Sequence, residues 1–293
     1  MPSLLIEGDS APRLAREALR VATGLLCSGH AREDACAVCR RVRERAHPDF
    51  VRIAPDGVQI KVDAVRDALR FAAGRPYEAP ARVVWIESAE TLREGAAANA
   101  LLKSLEEPGS YLTWILTTTA PEAILGTIRS RCEHRRLPRR PPATLRRDFT
   151  EKGADAAAVE DAIAFGFDPD GEYDLDSARE LRRLVLEHLV SGETSGLLAL
   201  AAAASEDDSA PALVAGVLRD AAVLASGGSA DRIRHRAAAG DVASVAKRYP
   251  ADALRSAAVE IDALPDKLAR FVQKRLAWED AILRLAPPLP GPR

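Results

Sequence analysis

The sequence predicts an α/β domain built on a parallel, doubly wound sheet, followed by an all-helical remainder. Three observations carry that prediction. Over residues 1–138, short apolar runs alternate with amphipathic helical stretches. The run in "RVVWIESAE" is continuously apolar, as only a strand buried on both faces tends to be. Beyond "LPRRPPATLRR" no segment resembles a buried strand.

In chain order, Leu4–Ile6 is a short strand and Arg13–Leu26 a helix. Val51–Ile53 is a second strand, and "VQIKVDAVRDALRFAAGRP" starts extended and becomes helical. After the strand in "RVVWIESAE", "AAANALLKSLEEP" places Ala98, Leu101, Leu102 and Leu105 on one helical face, and Pro108 ends the helix. Lys103, Glu106 and Glu107 occupy its polar face, at spacings suited to charge pairs within the helix. "LTWILTTT" is a further buried strand. Pro138, Pro141 and Pro142 mark a boundary, residues 143–180 suit a few short helices, and "FDPDGEYD" and "ASGGSADR" read as turns. The alanine-rich remainder is helical without a convincing repeat. It closes on "LPDKLARFVQKRLAWEDAILRLA", with an apolar stripe of Leu268, Phe271, Val272, Leu276 and Ile282. The expected division is 1–138, 139–180, 181–286 and an unstructured tail over 287–293.

The chain has 293 residues, 47% hydrophobic but only 4% aromatic, so Leu, Ala and Val must fill its cores. A net charge of −2 gives no global attraction to nucleic acid or to an anionic membrane. No run approaches the ~18 apolar residues of a membrane span, and no basic region precedes the first apolar residues. Cys27, Cys36 and Cys39 cluster, which suggests metal or reduced thiols more than disulfides. A cytoplasmic protein is expected.

The first strand leads through Gly8 into the first helix, where nucleotide-binding domains hold a phosphate. A phosphate loop reads G-x-x-x-x-G-K-[ST]. Counted from Gly8, the second glycine, the lysine and the hydroxyl residue are replaced by Arg13, Leu14 and Ala15. Slid so that Arg13 replaces the lysine, the frame still puts Leu14 where the hydroxyl belongs, and Pro12 removes a backbone donor. The strand "VVWIESAE" offers Glu87, Ser88 and Glu90 but no acidic pair for magnesium. No ATP is expected to bind there, and an ordinary strand-to-helix turn is the simpler reading.

The stretch "AAANALLKSLEEPGSYLTWILTTTAPEAILGTIRSRC" resembles the delta-prime subunits of bacterial DNA polymerase III clamp loaders, which are AAA+ proteins. The matching pieces are "NALLKSLEEP", "ILTTT" and "TIRSRC", with "LLC", the later C-x-x-C, "HPDF" and "IKVDAVRDALRF" upstream in the same order. "FVQKRLAWEDAILRL" is the one stretch of the helical remainder with any likeness. The resemblance implies an AAA+ domain, a small helical lid and a helical collar for oligomerisation. It implies that Ser130-Arg131-Cys132 supplies Arg131 as a trans-acting finger to a neighbour's ATP, with Arg129 in support. A permanently charged planar guanidinium stabilises charge developing on a transferring phosphoryl group. By composition alone, Arg129 and Arg131 are two solvated arginines. Thr117–Thr119 falls where AAA+ proteins carry a sensor residue, and without a phosphate to sense these threonines are structural. The arginines of "RCEHRRLPRR" fit a solvated interface at least as well as a DNA contact.

The family often carries a four-cysteine zinc module where Cys27, Cys36 and Cys39 stand, but its fourth position is Val42 here. His30 creates C-x-x-H…C-x-x-C, and three thiolates plus one imidazole form a standard structural Zn2+ set. His47 is a second candidate, and a zinc-free remnant is the plainer alternative. Cys132 belongs to the arginine motif, packed as a small hydrophobe.

The implied function is that of a catalytically silent clamp-loader subunit. It would join gamma/tau-like ATPase subunits and a delta-like subunit in a hetero-oligomer that loads the sliding clamp onto primed DNA, with no role for a membrane. Two other readings stand beside it. One is an active ATPase subunit of the same complex, against which Arg13-Leu14-Ala15 argues. The other is a zinc-organised scaffold on a decayed AAA+ fold outside replication. It is favoured by the start of the chain only three residues before its first strand, which leaves no room for the helix that often precedes that strand.

Overall fold

A computed structural model describes residues 3–27, 36–57, 59–92, 95–207, 209–268 and 273–285. The chain divides into two compact units, residues 1–140 and 141–293.

The first unit contains a five-stranded parallel sheet. Its strands are β1 (Ser3–Glu7), β2 (Phe50–Ile53), β3 (Arg82–Ile86), β4 (Leu112–Thr118) and β5 (Cys132–Arg136), in the spatial order β2-β3-β4-β1-β5. Alternation along each strand sorts apolar side chains into two cores, because successive residues point to opposite faces. Leu4, Ile6, Val83, Trp85 and Ile115 pack on one face with Leu14, Ala18, Ala22 and Leu26 of α1 (Ala11–Leu26). Those four lie four residues apart, so they form one stripe. Val42 of α2 (Ala37–Arg43) joins the same core. Leu5, Val84, Ile86, Trp114 and Leu116 face the other way, against α3 (Val62–Ala72), α4 (Ala96–Glu106) and the one-turn α5 (Gly126–Arg129). A sheet covered on both faces explains why β3 is apolar after Arg82 and why all seven residues of β4 are buried.

Strand β5 was not expected. "CEHRR" holds one apolar side chain and reads as a charged solvated run, yet all five residues are in register with Ser3–Glu7 of β1. Only Cys132 among the five is buried, and on an edge strand the backbone ladder holds the rest. Within the first unit Arg13 donates to the Pro138 carbonyl and Arg139 pairs with Asp9.

The second unit is helical: α6 (Pro142–Glu151), α7 (Ala156–Phe165), α8 (Leu175–Ser191), α9 (Thr194–Ser205), α10 (Ala210–Ala225), α11 (Ala239–Arg248), α12 (Ala251–Asp262), α13 (Leu264–Leu268) and α14 (Lys274–Leu283). A small cluster gathers Phe149, Val159 and Ala162, and a large one centres on α10, ten of whose sixteen residues are buried. Helix α8 is continuous over Leu175–Ser191, and buried Asp161 of α7 holds its Arg179 at 2.7 Å and its Arg182 at 2.6 Å. One expectation is corrected here. Leu276 is 56% exposed, and the buried face of α14 is Ala277, Trp278, Ala281 and Ile282 instead. Phe271 and Val272 of that stripe, and the tail over 287–293, lie outside the described residues.

Candidate functional site

Helix α5 ends at Ser130, and Arg131 is the single residue between that cap and β5. Cys132 anchors the start of β5 in the core beneath α4, and burial pushes its thiol up to about 11. This fixes the backbone from which Arg131 projects. The Arg131 side chain is 31% exposed. Its Nε donates to Glu106 Oε1 at 2.7 Å, and its Nη1 to the Thr127 carbonyl at 2.7 Å and to Ser130 Oγ at 3.4 Å. Ser130 therefore lies against the guanidinium. Arg129 does not: its Nη1 donates to the Pro121 carbonyl at 3.4 Å. Glu106, whose spacing from Lys103 suits a charge pair within α4, turns to Arg131 instead. No sequence signal pointed to that pair, which is 25 residues apart in the chain.

The β1–α1 turn has three residues, Gly8, Asp9 and Ser10, between strand and helix. A phosphate loop wraps several backbone N–H groups around its ligand before its helix begins; three residues are too few. Ser10 caps the helix by accepting from the Arg13 N–H. Leu14, in the place of the hydroxyl residue, is 2% exposed and part of the core. A Cβ on Gly8 would meet both Leu14 and Leu137 at 3.4 Å. Arg13 does not project as a phosphate-binding lysine would; it stitches the turn to the Pro138 carbonyl. Ala15 is half-buried against the same core.

At the end of β3, Glu87 pairs with Arg52, and Glu90 accepts from Thr119 Oγ1 at 3.2 Å. Ser88 adopts φ 50° beyond the strand. Thr117 is buried and accepts from the Trp85 indole N–H at 3.0 Å, a packing role.

The sulfurs of Cys27, Cys36 and Cys39 lie within 4.8 Å of one another, close enough for one tetrahedral metal. Cys36 caps the start of α2, where the N–H groups of Cys39 and Val38 and the neighbouring Cys27 bring its thiol down to about 7. Burial, then the two neighbouring cysteines, push Cys39 up to about 11. Val42, where a fourth thiolate would stand, is fully buried in the core. His30 lies outside the described residues. His47 is engaged elsewhere: its Nδ1 accepts from the Asp49 N–H, and its Nε2 lies 3.1 Å from Glu78.

Sequence reasoning also missed what "HPDF" does. Asp49 is fully buried, and its carboxylate accepts three backbone N–H groups: Tyr77 at 2.7 Å, and Glu78 and Ala79 at 2.9 Å each. It thereby pins the loop that presents Tyr77, 81% exposed.

Residues 1–141 match the family model described as DNA polymerase III, delta subunit. The delta-prime subunit of Escherichia coli K12 is 40% identical over 113 residues, 37% of this chain and 34% of the relative. That of Pseudomonas aeruginosa PAO1 is 38% identical over 122 residues, 40% of this chain and 37% of the relative. A DNA polymerase III gamma/tau subunit of Mycobacterium bovis is 40% identical over 85 residues, 29% of this chain and 14% of the relative. The chain thus spans about a third of the length of the delta-prime relatives it matches. Over residues 1–141 the chain is similar to the delta-prime subunits of DNA polymerase III.

Proposed function

We propose that this protein is a clamp-loader subunit that does not hydrolyse ATP and lends Arg131 in trans to the ATP site of a gamma/tau-like neighbour. One contrast carries the reading: the three-residue turn is closed by buried Leu14, while the arginine of Ser130-Arg131-Cys132 stays within reach of a partner. Ser130 and Glu106 would hold the guanidinium before assembly, Cys132 would fix its backbone, and Arg129 would support the same rim. The ring would include a delta-like subunit and load the sliding clamp onto primed DNA. Helices α6 and α7 would form a lid, and the helices from α8 onward a collar for hetero-oligomerisation.

Cys27, Cys36 and Cys39 would hold a structural Zn2+, with His30 as the fourth ligand. Three thiol groups converging beside a helix N-terminus that favours thiolate suit that metal.

An active ATPase subunit is the second reading, favoured by the gamma/tau match and opposed by the turn. Gel filtration of the chain with gamma/tau-like and delta-like subunits, with ATP hydrolysis measured on the chain alone, separates them. A stable hetero-oligomer and no hydrolysis by the lone chain are expected. Turnover by the lone chain overturns the silent-subunit reading, and failure to co-elute overturns the clamp-loader role.

A further inference from the structure

The end of α1 and the start of α2 bring two cysteines into contact. Cys27 caps α1 and Cys36 caps α2, and their sulfurs lie 3.7 Å apart although the residues are nine positions apart in the chain. Both backbones are extended at these caps, with φ −97° at Cys27 and −94° at Cys36, so neither residue is locked into a helix interior. Closing the gap to a disulfide length of about 2.05 Å asks for less than about 2 Å of movement, shared between two side chains.

The third sulfur of the cluster is placed differently. Cys39 lies within α2 and is 3% exposed, whereas Cys27 and Cys36 are half-buried and reach solvent. The helices that carry the pair share one core, in which Leu14, Ala18, Ala22 and Leu26 of α1 meet Val42 of α2. The contact between the sulfurs is therefore a product of the folded unit, and a bond between them would tie two ends already side by side. Two thiols so placed form a redox pair, because a sulfur that is oxidised has its resolving partner within reach. In a reducing compartment such pairs stay open and close only transiently.

We propose that Cys27 and Cys36 are a peroxide-sensitive pair that closes to a disulfide and leaves Cys39 reduced. The sulfur of one attacks a peroxide oxygen, the O–O bond breaks, and the departing hydroxide leaves as water with the thiol proton. The second sulfur attacks the sulfenic acid so formed, the S–O bond breaks, and the hydroxyl leaves with the second thiol proton as another water. The pair gives up two electrons and two protons, and one peroxide becomes two waters. These sulfurs are also two of the three proposed above to hold Zn2+, so the bond and the metal exclude each other. Closure itself requires no metal.

Tryptic mapping of the full chain after treatment with hydrogen peroxide tests this. Fragment 21–32 holds Cys27, and fragment 33–40 holds Cys36 and Cys39. The two fragments should appear joined, about 2 Da lighter than their sum, and should separate in dithiothreitol. Cys39→Ser should keep the cross-link, while Cys27→Ser and Cys36→Ser should each lose it, in variants whose thermal melts match wild type. Cys132, 8% exposed, should stay unmodified. Chain loaded with zinc should release about one ion per cross-link formed, read with a chromogenic chelator. A chain that binds no zinc yet cross-links supports the pair and removes the metal reading alone. A bond within fragment 33–40, a cross-link that persists in Cys36→Ser or is lost in Cys39→Ser, oxidation to sulfinic acid without cross-linking, or a cross-linked chain that keeps its zinc overturns the proposal.

Discussion

Replacing Asp49 by Asn tests how the first unit is held together. The asparagine keeps the shape but turns one oxygen into an NH2 group, which meets either the Tyr77 N–H or the Glu78 and Ala79 N–H groups donor to donor. Hydrogen bonds to a charged acceptor contribute about 1.5–3 kcal/mol each. Tyr77 and Glu78 are exposed, so water recovers part of what is lost there. We expect a net destabilisation of about 3 kcal/mol, or roughly 10 °C in Tm for a unit of this size. Fluorescence of Trp85 and Trp114 in a Trp278→Phe background follows this unit alone. Burial raises the Asp49 carboxyl, but the three N–H groups and Arg82 outweigh it and hold it below the usual range. A carboxyl depressed in the folded state contributes stability that is present above the unfolded value of about 3.9 and is lost as pH falls below it toward the folded value. Asp49→Asn should therefore flatten the loss of stability below about pH 4. A Tm drop under about 2 °C, or an unchanged acid slope, would refute this account of the loop.

Three further outcomes follow. Restoring the missing chemistry with Arg13→Lys and Leu14→Thr should give no ATP hydrolysis, because the turn stays three residues long, and should destabilise the fold by placing a hydroxyl in the core; gained turnover would contradict it. Metal analysis of the chain prepared with zinc should find about one ion per chain, lost on Cys39→Ser; equal content in the variant would remove the thiolate site. Trp278→Ala should destabilise the helical unit by about 3–5 kcal/mol, read as its urea midpoint, whereas Leu276→Ala should cost well under 1 kcal/mol.

The sheet was legible in the sequence where its strands are buried on both faces. Val83–Ile86 and Leu112–Thr118 have no solvent side, so their apolar runs had one reading. Strand β5 was not, because an edge strand needs only Cys132 inside and takes its stability from the ladder to β1. The alanine-rich helices gave the class of the second unit but not its seams. Whether Leu276 or Trp278 turns inward depends on neighbours far along the chain, and α8 looked polar because its buried arginine is neutralised by Asp161 from another helix. At the site, the Ser-Arg-Cys motif marked Arg131 by resemblance, while the carboxylate that holds it is supplied by α4 and carries no local signature.

The central claim is that Arg131 acts on ATP held by another subunit. Arg131→Ala should leave the lone chain's Tm nearly unchanged, since an exposed ion pair contributes about 1 kcal/mol at most, and should leave assembly intact. In the reconstituted complex, hydrolysis stimulated by clamp and primed DNA should fall by about tenfold or more, as fingers of this kind are worth ~10³ or more at one site. Hydrolysis and clamp loading at wild-type rates in an assembled Arg131→Ala complex would contradict it.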